Sequence, residues 1–399
     1  MQSSVNKTCA VCSSLLNNKN RSKEHIIPNS IGGRRKTTNF ICNTCNNRLG
    51  HTWDAELARQ LNWCSLMVGI SRENGEVPRQ IIQTVDGSRL WLKNDGTMTP
   101  EKPAYREEST GGKTTISISA RDMTEASRML KNTKRHHPTF DVEKAYQELE
   151  VQQIYLDSPI HVDMGIGGPE AGRSIVKTAF AHASDSGVPH QFCSQALRYL
   201  SGQSCSPPFG FAYLSDCVEN RSNDTVFHCV SLSGDPETGR LISYVEYFGL
   251  FRFFISLSDD YSGKRIQETY AIDPTTGSVL SISVDWSVCE RELGAILAGD
   301  GYSEEGHRAA ADYALPIILK RSSDRHTSRA THEAFFHAAQ ALGINEGELI
   351  PPEKHQEFVG LMLENLTPFI RHMVTRNRPS DGHPVLDWKS AHGMPGSST

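Results

Sequence analysis

The sequence lacks the features that mark membrane-spanning and secreted chains. No apolar run reaches the roughly 18 residues needed to cross a bilayer, and the start MQSSVNKTC has no apolar core of a secretory signal. Most of the ten cysteines follow no pairing pattern, namely Cys64, Cys193, Cys205, Cys217, Cys229 and Cys289. These absences predict a soluble protein of the reducing cytoplasm, in which these six residues are ordinary thiols.

The sequence also has no internal repeat and no phosphate-binding loop. The glycine-rich stretch at 165–172, GIGGPEAG, lacks the Lys-Ser/Thr pair of such a loop, so we interpret it as a turn with a helix beginning near Pro169. The chain has 399 residues, of which 37% are hydrophobic and 22% charged. This composition is typical of a globular protein of two or three domains.

The remaining four cysteines form two C-x-x-C pairs near the start of the chain: Cys9 with Cys12, and Cys42 with Cys45. Two such pairs can supply four thiolates in tetrahedral arrangement around Zn²⁺. A segment of about 50 residues is too small for a sufficient core, so the zinc is predicted to be structural. The alternatives are a zinc ribbon without catalysis and cysteines that only look paired.

Polar side chains concentrate between and beside these pairs, at Glu24, His25, Asn39 and Asn46. Hydrolysis of a phosphodiester needs a base that deprotonates water and a hard cation that neutralises charge on the phosphate. Histidine suits the base, since its ordinary pKa is about 6.5. Carboxylate and carboxamide oxygens suit Mg²⁺ or Mn²⁺.

With these motifs, residues 5–60 resemble the HNH endonuclease family, whose ββα-metal fold surrounds one divalent cation with a hairpin and a short helix. The resemblance implies that EHIIPNSIGG is the first strand running into the hairpin. It implies that His25 is the general base and that Asn39 orients its ring.

The same resemblance implies that Glu24 and Asn46 are the ligands of the catalytic Mg²⁺ or Mn²⁺. The last position of the motif is often His in the family and is Asn46 here. His51, five residues further on, is a reserve ligand if the short helix ends early at Gly50.

Charge is distributed unevenly along the chain. Residues 1–60 carry nine Lys or Arg and three acids, a net charge of +6, whereas the whole chain has −5 and the remainder therefore −11. A basic module on an acidic body fits contact of one end with a phosphate backbone. The predicted DNA contacts are Arg34, Arg35 and Lys36 at the hairpin tip and Arg48, and the alternative for the run 34–36 is a solvated loop.

After the module, Leu49, Trp53, Leu57 and Leu61 recur every fourth residue, which predicts an apolar stripe on one helix or two short ones. Asp54 is predicted to be an acid of a first helical turn, where the helix dipole favours it. The alternative for Asp54 is a carboxylate that approaches the metal.

The rest of the chain predicts mixed structure. The turn Asp86-Gly87 predicts a hairpin, and the alternation in TTISIS predicts a strand. Strand-like runs between 209 and 285 predict an antiparallel sheet, with YVEYFGLFRFFISL in its core instead of serving as a stacking platform for bases. Helices are expected near 327–341 and 352–366, with a third beginning at Thr367-Pro368.

The fold class predicted is therefore α+β: a ββα-metal module stapled by a four-cysteine zinc site, followed by a larger mixed body with a predominantly antiparallel sheet. The predicted domains are the HNH-like nuclease domain at 1–62, a mixed α/β region at 63–165, an α+β domain at 166–376 and a flexible tail at 377–399.

The sequence favours a metal-dependent endonuclease that nicks or cuts DNA, with RNA not excluded, by analogy in bacterial restriction or anti-phage defence. Protein partners or self-association would use the acidic body. The alternatives are a zinc-dependent nucleic-acid-binding or adaptor protein, and a nuclease subunit active only with a partner complex.

Overall fold

The structure is a computed structural model, and it describes residues 8–73, 75–150, 155–156, 158–204 and 206–376. The predicted flexible tail at 377–399 and Cys205 lie outside these residues. Among the described cysteines, Cys64, Cys193, Cys217 and Cys229 are buried free thiols.

The strands of the described chain are short and are numbered in chain order. They are β1 (Arg21–His25), β2 (Lys36–Cys42), β3 (Gln80–Thr84), β4 (Arg89–Leu92), β5 (Met98–Pro100), β6 (Ala104–Thr110), β7 (Lys113–Ser119), β8 (Ile160–His161), β9 (Phe209–Phe211), β10 (His228–Asp235), β11 (Arg240–Tyr247), β12 (Phe251–Ser258), β13 (Ile266–Ile272) and β14 (Val279–Leu280).

The helices are numbered in the same way. They are α1 (Asn43–His51), α2 (Trp53–Gln60), α3 (Asn62–Val68), α4 (Met123–His136), α5 (Val142–Gln147), α6 (Pro169–Asp185), α7 (Ser194–Leu200), α8 (Trp286–Ala295), α9 (Glu304–Ala341) and α10 (His355–Arg376).

The described chain groups into two compact units. The first contains residues within 8–78 and 164–323, and the second contains residues within 79–163 and 324–376. The N-terminal segment with the four paired cysteines therefore shares a unit with the large antiparallel sheet, although more than 80 residues of the other unit separate the two along the chain.

The large sheet of the first unit has the strand order β14-β13-β10-β11-β12-β9, and its neighbours are antiparallel. Strands β11 and β12 are joined by a tight turn in which Phe248 and Gly249 both have positive φ, the geometry that matches the twist of a hairpin. Both strands are buried almost throughout. The aromatic run is therefore core, as predicted.

Helix α6 is buried along most of its length, from Ala171 to Ala183. It begins at Pro169, directly after the glycine-rich stretch, as the sequence predicts. The helix packs against α2, β2 and the large sheet through β10. A charged side chain on the buried part of this helix therefore needs a partner.

The N-terminal segment forms the antiparallel pair β1-β2 followed by three short helices. The apolar stripe Leu49, Trp53, Leu57 and Leu61 is buried, as predicted. It is distributed over α1, α2 and the residue that precedes α3, because the chain breaks helix at Thr52 and Leu61. Gly50 does not interrupt α1, which continues to His51.

The second unit contains the predicted hairpin β3-β4, inside a sheet of order β5-β4-β3-β8. The predicted strand TTISIS is part of β7, which pairs with β6. The α+β fold class with antiparallel sheets is confirmed.

Two predicted helix starts at the C-terminal end are wrong. The helix expected near 327–341 is α9, which already begins at Glu304. Thr367-Pro368 does not begin a new helix, since α10 continues through Pro368 to Arg376. The Thr367 hydroxyl donates a hydrogen bond to the carbonyl of Leu363 (2.7 Å), and the helix is largely exposed around this turn, so water can reach the backbone group that loses its partner. Within the part of the chain that the structure describes, no helix is long and apolar enough to cross a membrane.

Candidate active site

The four predicted zinc ligands come together in one cluster. The Sγ atoms of Cys9, Cys12, Cys42 and Cys45 all lie within 4.8 Å of one another, and three of the four residues are buried. The cluster forms because Cys9 and Cys12 lie in a tight turn, while Cys42 ends β2 and Cys45 lies in the first turn of α1.

The geometry of the cluster fits zinc. A tetrahedral ion with Zn–S bonds of about 2.3 Å places its sulfur atoms about 3.8 Å apart. Cys12 Sγ and Cys42 Sγ are 3.8 Å apart. A hydrogen bond from Ser14 lowers the pKa of Cys12 to about 6, whereas burial raises the pKa of Cys9 and that of Cys45, so the fit to zinc rests on the geometry. The residues are therefore compatible with a structural zinc site of four cysteines.

Glu24 and His25 point to opposite faces of β1, because successive side chains of a strand alternate. Glu24 is buried with 4% of its surface exposed, whereas the His25 side chain is 19% exposed. The two residues are adjacent in sequence, but β1 gives them different surroundings.

His25 lies beside an exposed carboxylate. Its Nε2 atom is 3.3 Å from Glu73 Oε1, within ion-pair distance, but is buried and makes no well-directed hydrogen bond among the described residues. Burial lowers the pKa of His25 below its ordinary 6.5, and Glu73 opposes part of this shift. The neutral imidazole, which can accept a proton, therefore predominates at pH 7.

Glu24 belongs to a buried charged cluster that sequence reasoning missed. Its Oε1 is hydrogen-bonded to Lys177 Nζ, and the same ammonium lies 2.5 Å from Asp54 Oδ2. Ser174 Oγ donates to Asp54 Oδ1 at 2.6 Å. Burial alone would lower the pKa of Lys177, but the charges of Asp54 and Glu24 outweigh it, and the net pKa is raised. Lys177 therefore stays a cation.

Asp54 is an acid of a first helical turn, as predicted, and its alternative role of approaching the metal stays a prediction. It lies in the first turn of α2, where an acid suits the helix dipole. Its carboxylate also reaches the Glu24 cluster through Lys177. The signal that could have indicated Lys177 is that it is the one Asp, Glu, Lys or Arg in the sequence 174–183.

Asn46 lies on the same face of β1 as Glu24. Its Nδ2 donates to the hydroxyl of Ser22, and Ser22 and Glu24 are the two buried residues of β1. The carboxamide oxygen of Asn46 has no hydrogen-bond partner among the described residues. His51 follows by five positions on the same helix, about 140° away around its axis, so it does not share the face of Asn46.

Asn39 lies in an irregularity of the hairpin. It has a left-handed backbone (φ 62°), and the pairing register between β1 and β2 shifts between Arg21 and Lys23. Asn tolerates this conformation better than most residues. No hydrogen bond joins Asn39 to His25 within the described chain, so its predicted role in orienting the ring stays a prediction.

The predicted DNA contacts 34–36 have partners within the first unit. Arg34 donates to the carbonyl of Ser71 at 2.6 Å. Arg35 forms an ion pair with Asp185 at 2.6 Å, and Lys36 forms one with Glu73 at the same distance. The fourth predicted contact, Arg48, is exposed on α1. Arg35 and Lys36 remain exposed, so both the DNA contact and its alternative, a solvated loop, stay predictions.

The donor chemistry fits a hard divalent cation. Glu24 and Asn46 offer a carboxylate and a carboxamide oxygen on one face of β1, which are the ligand types that Mg²⁺ and Mn²⁺ prefer. Glu24 already has one cationic partner, Lys177. Within the described chain, Glu24 is hydrogen-bonded to Lys177 and to no sulfur or aromatic nitrogen, and its oxygen donors suit a hard ion better than a soft one.

The comparison with known families finds a match in the N-terminal module and assigns no family to the body. Residues 9–62 match the family model described as HNH endonuclease. No curated protein and no solved structure matches the chain. The matched segment contains both cysteine pairs and the Glu24-His25 strand. The N-terminal module of this chain, residues 9–62, is an HNH endonuclease domain.

Proposed function

We propose that the protein is a metal-dependent endonuclease that hydrolyses phosphodiester bonds of DNA. The family of the module supports nuclease chemistry in general. The observation that carries the specific assignment is His25, which is partly exposed, has a lowered pKa caused by burial, and has a ring nitrogen without a well-directed hydrogen bond. A histidine in this state is suited to take a proton from water.

In this proposal His25 is the general base. The neutral ring accepts the proton of the attacking water, and Glu73 stabilises the imidazolium that forms, since its carboxylate is 3.3 Å away. Asn39 would orient the ring. Zinc in the four-cysteine cluster would hold the β2–α1 junction and thereby the position of the hairpin.

Glu24 and Asn46 would hold the catalytic Mg²⁺ or Mn²⁺. The reserve ligand His51 is dropped, because α1 continues through Gly50 and places His51 about 140° around the helix from Asn46. Such a cation, when bound, neutralises charge on the scissile phosphate and the leaving oxygen. The chain's own contribution is to present two oxygen donors from β1 and α1 on one face, with His25 on the same strand.

Backbone contact with DNA would come from Arg34, Arg35, Lys36 and Arg48. Three of these side chains would exchange an internal partner for phosphate, which lowers their net contribution. One HNH centre cuts one strand, so a monomer is expected to nick. We assign the activity to a cytoplasmic role in bacterial restriction or anti-phage defence by analogy alone.

A second candidate is a nuclease subunit that acts only with a partner. The observation that favours it is that Glu24 and the cations 34–36 already have intramolecular partners. A partner that binds the acidic body would then be needed to release them.

Incubation of the full-length protein with supercoiled plasmid tests the proposal. We expect open-circular product with Mg²⁺ or Mn²⁺, none with EDTA, and none from Glu24→Gln. A parallel incubation with single-stranded RNA establishes the substrate. Intact plasmid under every condition would contradict a stand-alone nuclease, and cutting only after addition of cell extract would favour the partner-dependent subunit.

A further inference from the structure

Lys177 brings a charged group into the HNH domain from outside the matched sequence. Its side chain is fully buried, on a helix that is buried along most of its length. A buried charge is tolerated only where it is paired and hydrogen-bonded. Lys177 meets this condition through Glu24 of β1 and Asp54 of α2.

The carboxylates of Asp54 and Glu24 differ in how many of their oxygen atoms are hydrogen-bonded. Both oxygens of Asp54 are occupied, one by Lys177 at 2.5 Å and the other by the hydroxyl of Ser174 at 2.6 Å. Glu24 uses Oε1 for Lys177, and among the described residues its second oxygen has no hydrogen-bond partner. Asp54 is therefore fixed by α6, whereas Glu24 retains the freedom to bind a second group.

A divalent cation on Glu24 would lie close to this ammonium. Two cations separated by about 4 Å inside a protein repel far more strongly than in water, because the interior screens them poorly. Lys177 has no exposed surface through which water would screen it. Glu24 therefore cannot serve both cations at full strength.

We propose that Lys177 is an internal counter-cation that competes with the catalytic divalent cation for the Glu24 carboxylate. Cation binding then requires Lys177 to release Glu24 and to stay paired with Asp54, which Ser174 holds in place. This inference rests on the proposed function, in which Glu24 is a ligand. It makes Lys177 and Asp54 positioning residues that set the cation affinity of the site.

The competition predicts opposite effects for two variants. In Asp54→Asn, Lys177 loses one of its two carboxylate partners and keeps only Glu24. Lys177 then holds Glu24 more tightly, and Mn²⁺ binding weakens. In the double variant Asp54→Asn/Lys177→Met, the competitor is gone. Wild type, with Glu24, Asp54 and Lys177, and the double variant, with Glu24 alone, both have a local charge of −1, so a difference between them isolates the direct competition from net charge.

The experiment is a titration of zinc-loaded, full-length protein with Mn²⁺ in the absence of DNA, with free Mn²⁺ measured by electron paramagnetic resonance. Glu24→Gln defines the background. We expect the double variant to bind Mn²⁺ with a Kd at least about tenfold lower than wild type, equivalent to about 1.4 kcal/mol. Asp54→Asn should have a higher Kd than wild type.

Equal or weaker Mn²⁺ binding by the folded double variant would overturn the inference, as would the absence of Glu24-dependent binding in every protein. If the double variant loses cooperative melting, Asp54→Asn decides, and unchanged or tighter binding overturns the inference. Plasmid nicking is measured separately. Metal-dependent nicking with equal Kd values rejects only the competition, whereas tighter Mn²⁺ binding without nicking rejects only the nuclease.

Discussion

At the scale of single residues, β1 gives Glu24 and His25, which are adjacent in the sequence, two different surroundings. His25 and Glu24 are adjacent, yet His25 is partly exposed beside Glu73 while Glu24 is buried beside Lys177. The alternation of a strand makes this separation unavoidable. Each residue therefore has its own electrostatic partner, and each can be altered alone.

The acid limb of the pH–rate profile should report His25. Activity is expected to fall as pH drops below the pKa of His25, which burial holds under 6.5. Glu73 opposes that lowering, so Glu73→Gln should move the acid limb of kcat/KM to still lower pH. Steady-state nicking between pH 4.5 and 8 measures this shift. The matched control is Glu76→Gln, a nearby exposed carboxylate, and an equal shift in both variants would contradict the role of Glu73.

At the scale of elements, the HNH domain is stabilised by its cysteine cluster and by packing against helix α6. The four-cysteine cluster ties the N-terminal turn to the β2–α1 junction, and helix α6 packs against β2 and α2 on the buried side. His228 of β10 adds a third connection, since its Nε2 donates to the carbonyl of Ile31 at 2.7 Å. The domain is therefore part of the first unit and does not stand alone.

Loss of one zinc ligand should unfold this end of the molecule. Structural zinc contributes about 10–16 kcal/mol to the folding of small zinc modules, comparable to or above the stability of a typical domain. Cys45→Ser is expected to lose one equivalent of zinc, lower the melting temperature and abolish nicking. Zinc content and circular dichroism check this result. Cys64→Ala, a buried thiol outside the cluster, should retain the zinc, and retention of zinc by Cys45→Ser would contradict the assignment.

At the scale of the whole molecule, the first unit encloses several neutral histidines. His182, His190 and His228 are buried, and desolvation lowers the pKa of each to about 4. In the unfolded chain their pKa is about 6.5. The folded state therefore binds fewer protons than the unfolded state between these values.

These buried histidines make the protein less stable at acid pH. Above pH 6.5 these histidines are neutral in both states, and the protein has its full stability. As pH falls from 6.5 toward 4, the unfolded chain binds protons first, and the free energy of unfolding decreases by about 2–3 kcal/mol for each histidine at pH 4.5. Melting temperatures from pH 7.5 to 4.5 should fall accordingly, and His228→Gln should reduce the slope. A melting temperature that does not change over this range would contradict the neutral, buried state of these rings.

Local patterns in the sequence were sufficient for much of the fold. The cysteine cluster could be predicted because C-x-x-C pairs place their ligands within one turn of chain. The hairpin β3-β4 follows from its turn residues, and the buried strands β11 and β12 follow from a strand-like run rich in aromatic residues. Thr367-Pro368 was misjudged because a Pro in an exposed helix, with water available to the freed carbonyl, interrupts that helix less than its general preference indicates.

The electrostatics of the site could not be predicted in the same way. Lys177 is 153 residues from Glu24 along the chain, and only the packing of α6 brings them together. The same is true of Arg35, whose partner Asp185 lies at the end of α6. Sequence spacing describes local geometry, whereas these pairs depend on tertiary packing.

The most direct test of the central claim is the rate at which His25→Ala nicks supercoiled plasmid, with zinc content equal to wild type. Loss of a general base is expected to slow nicking by about 10²–10⁴-fold. Added imidazole should restore part of the rate, because it can accept the proton from the cavity that the side chain vacates. A variant that nicks at the wild-type rate would contradict the assignment of His25 as the base of an HNH nuclease.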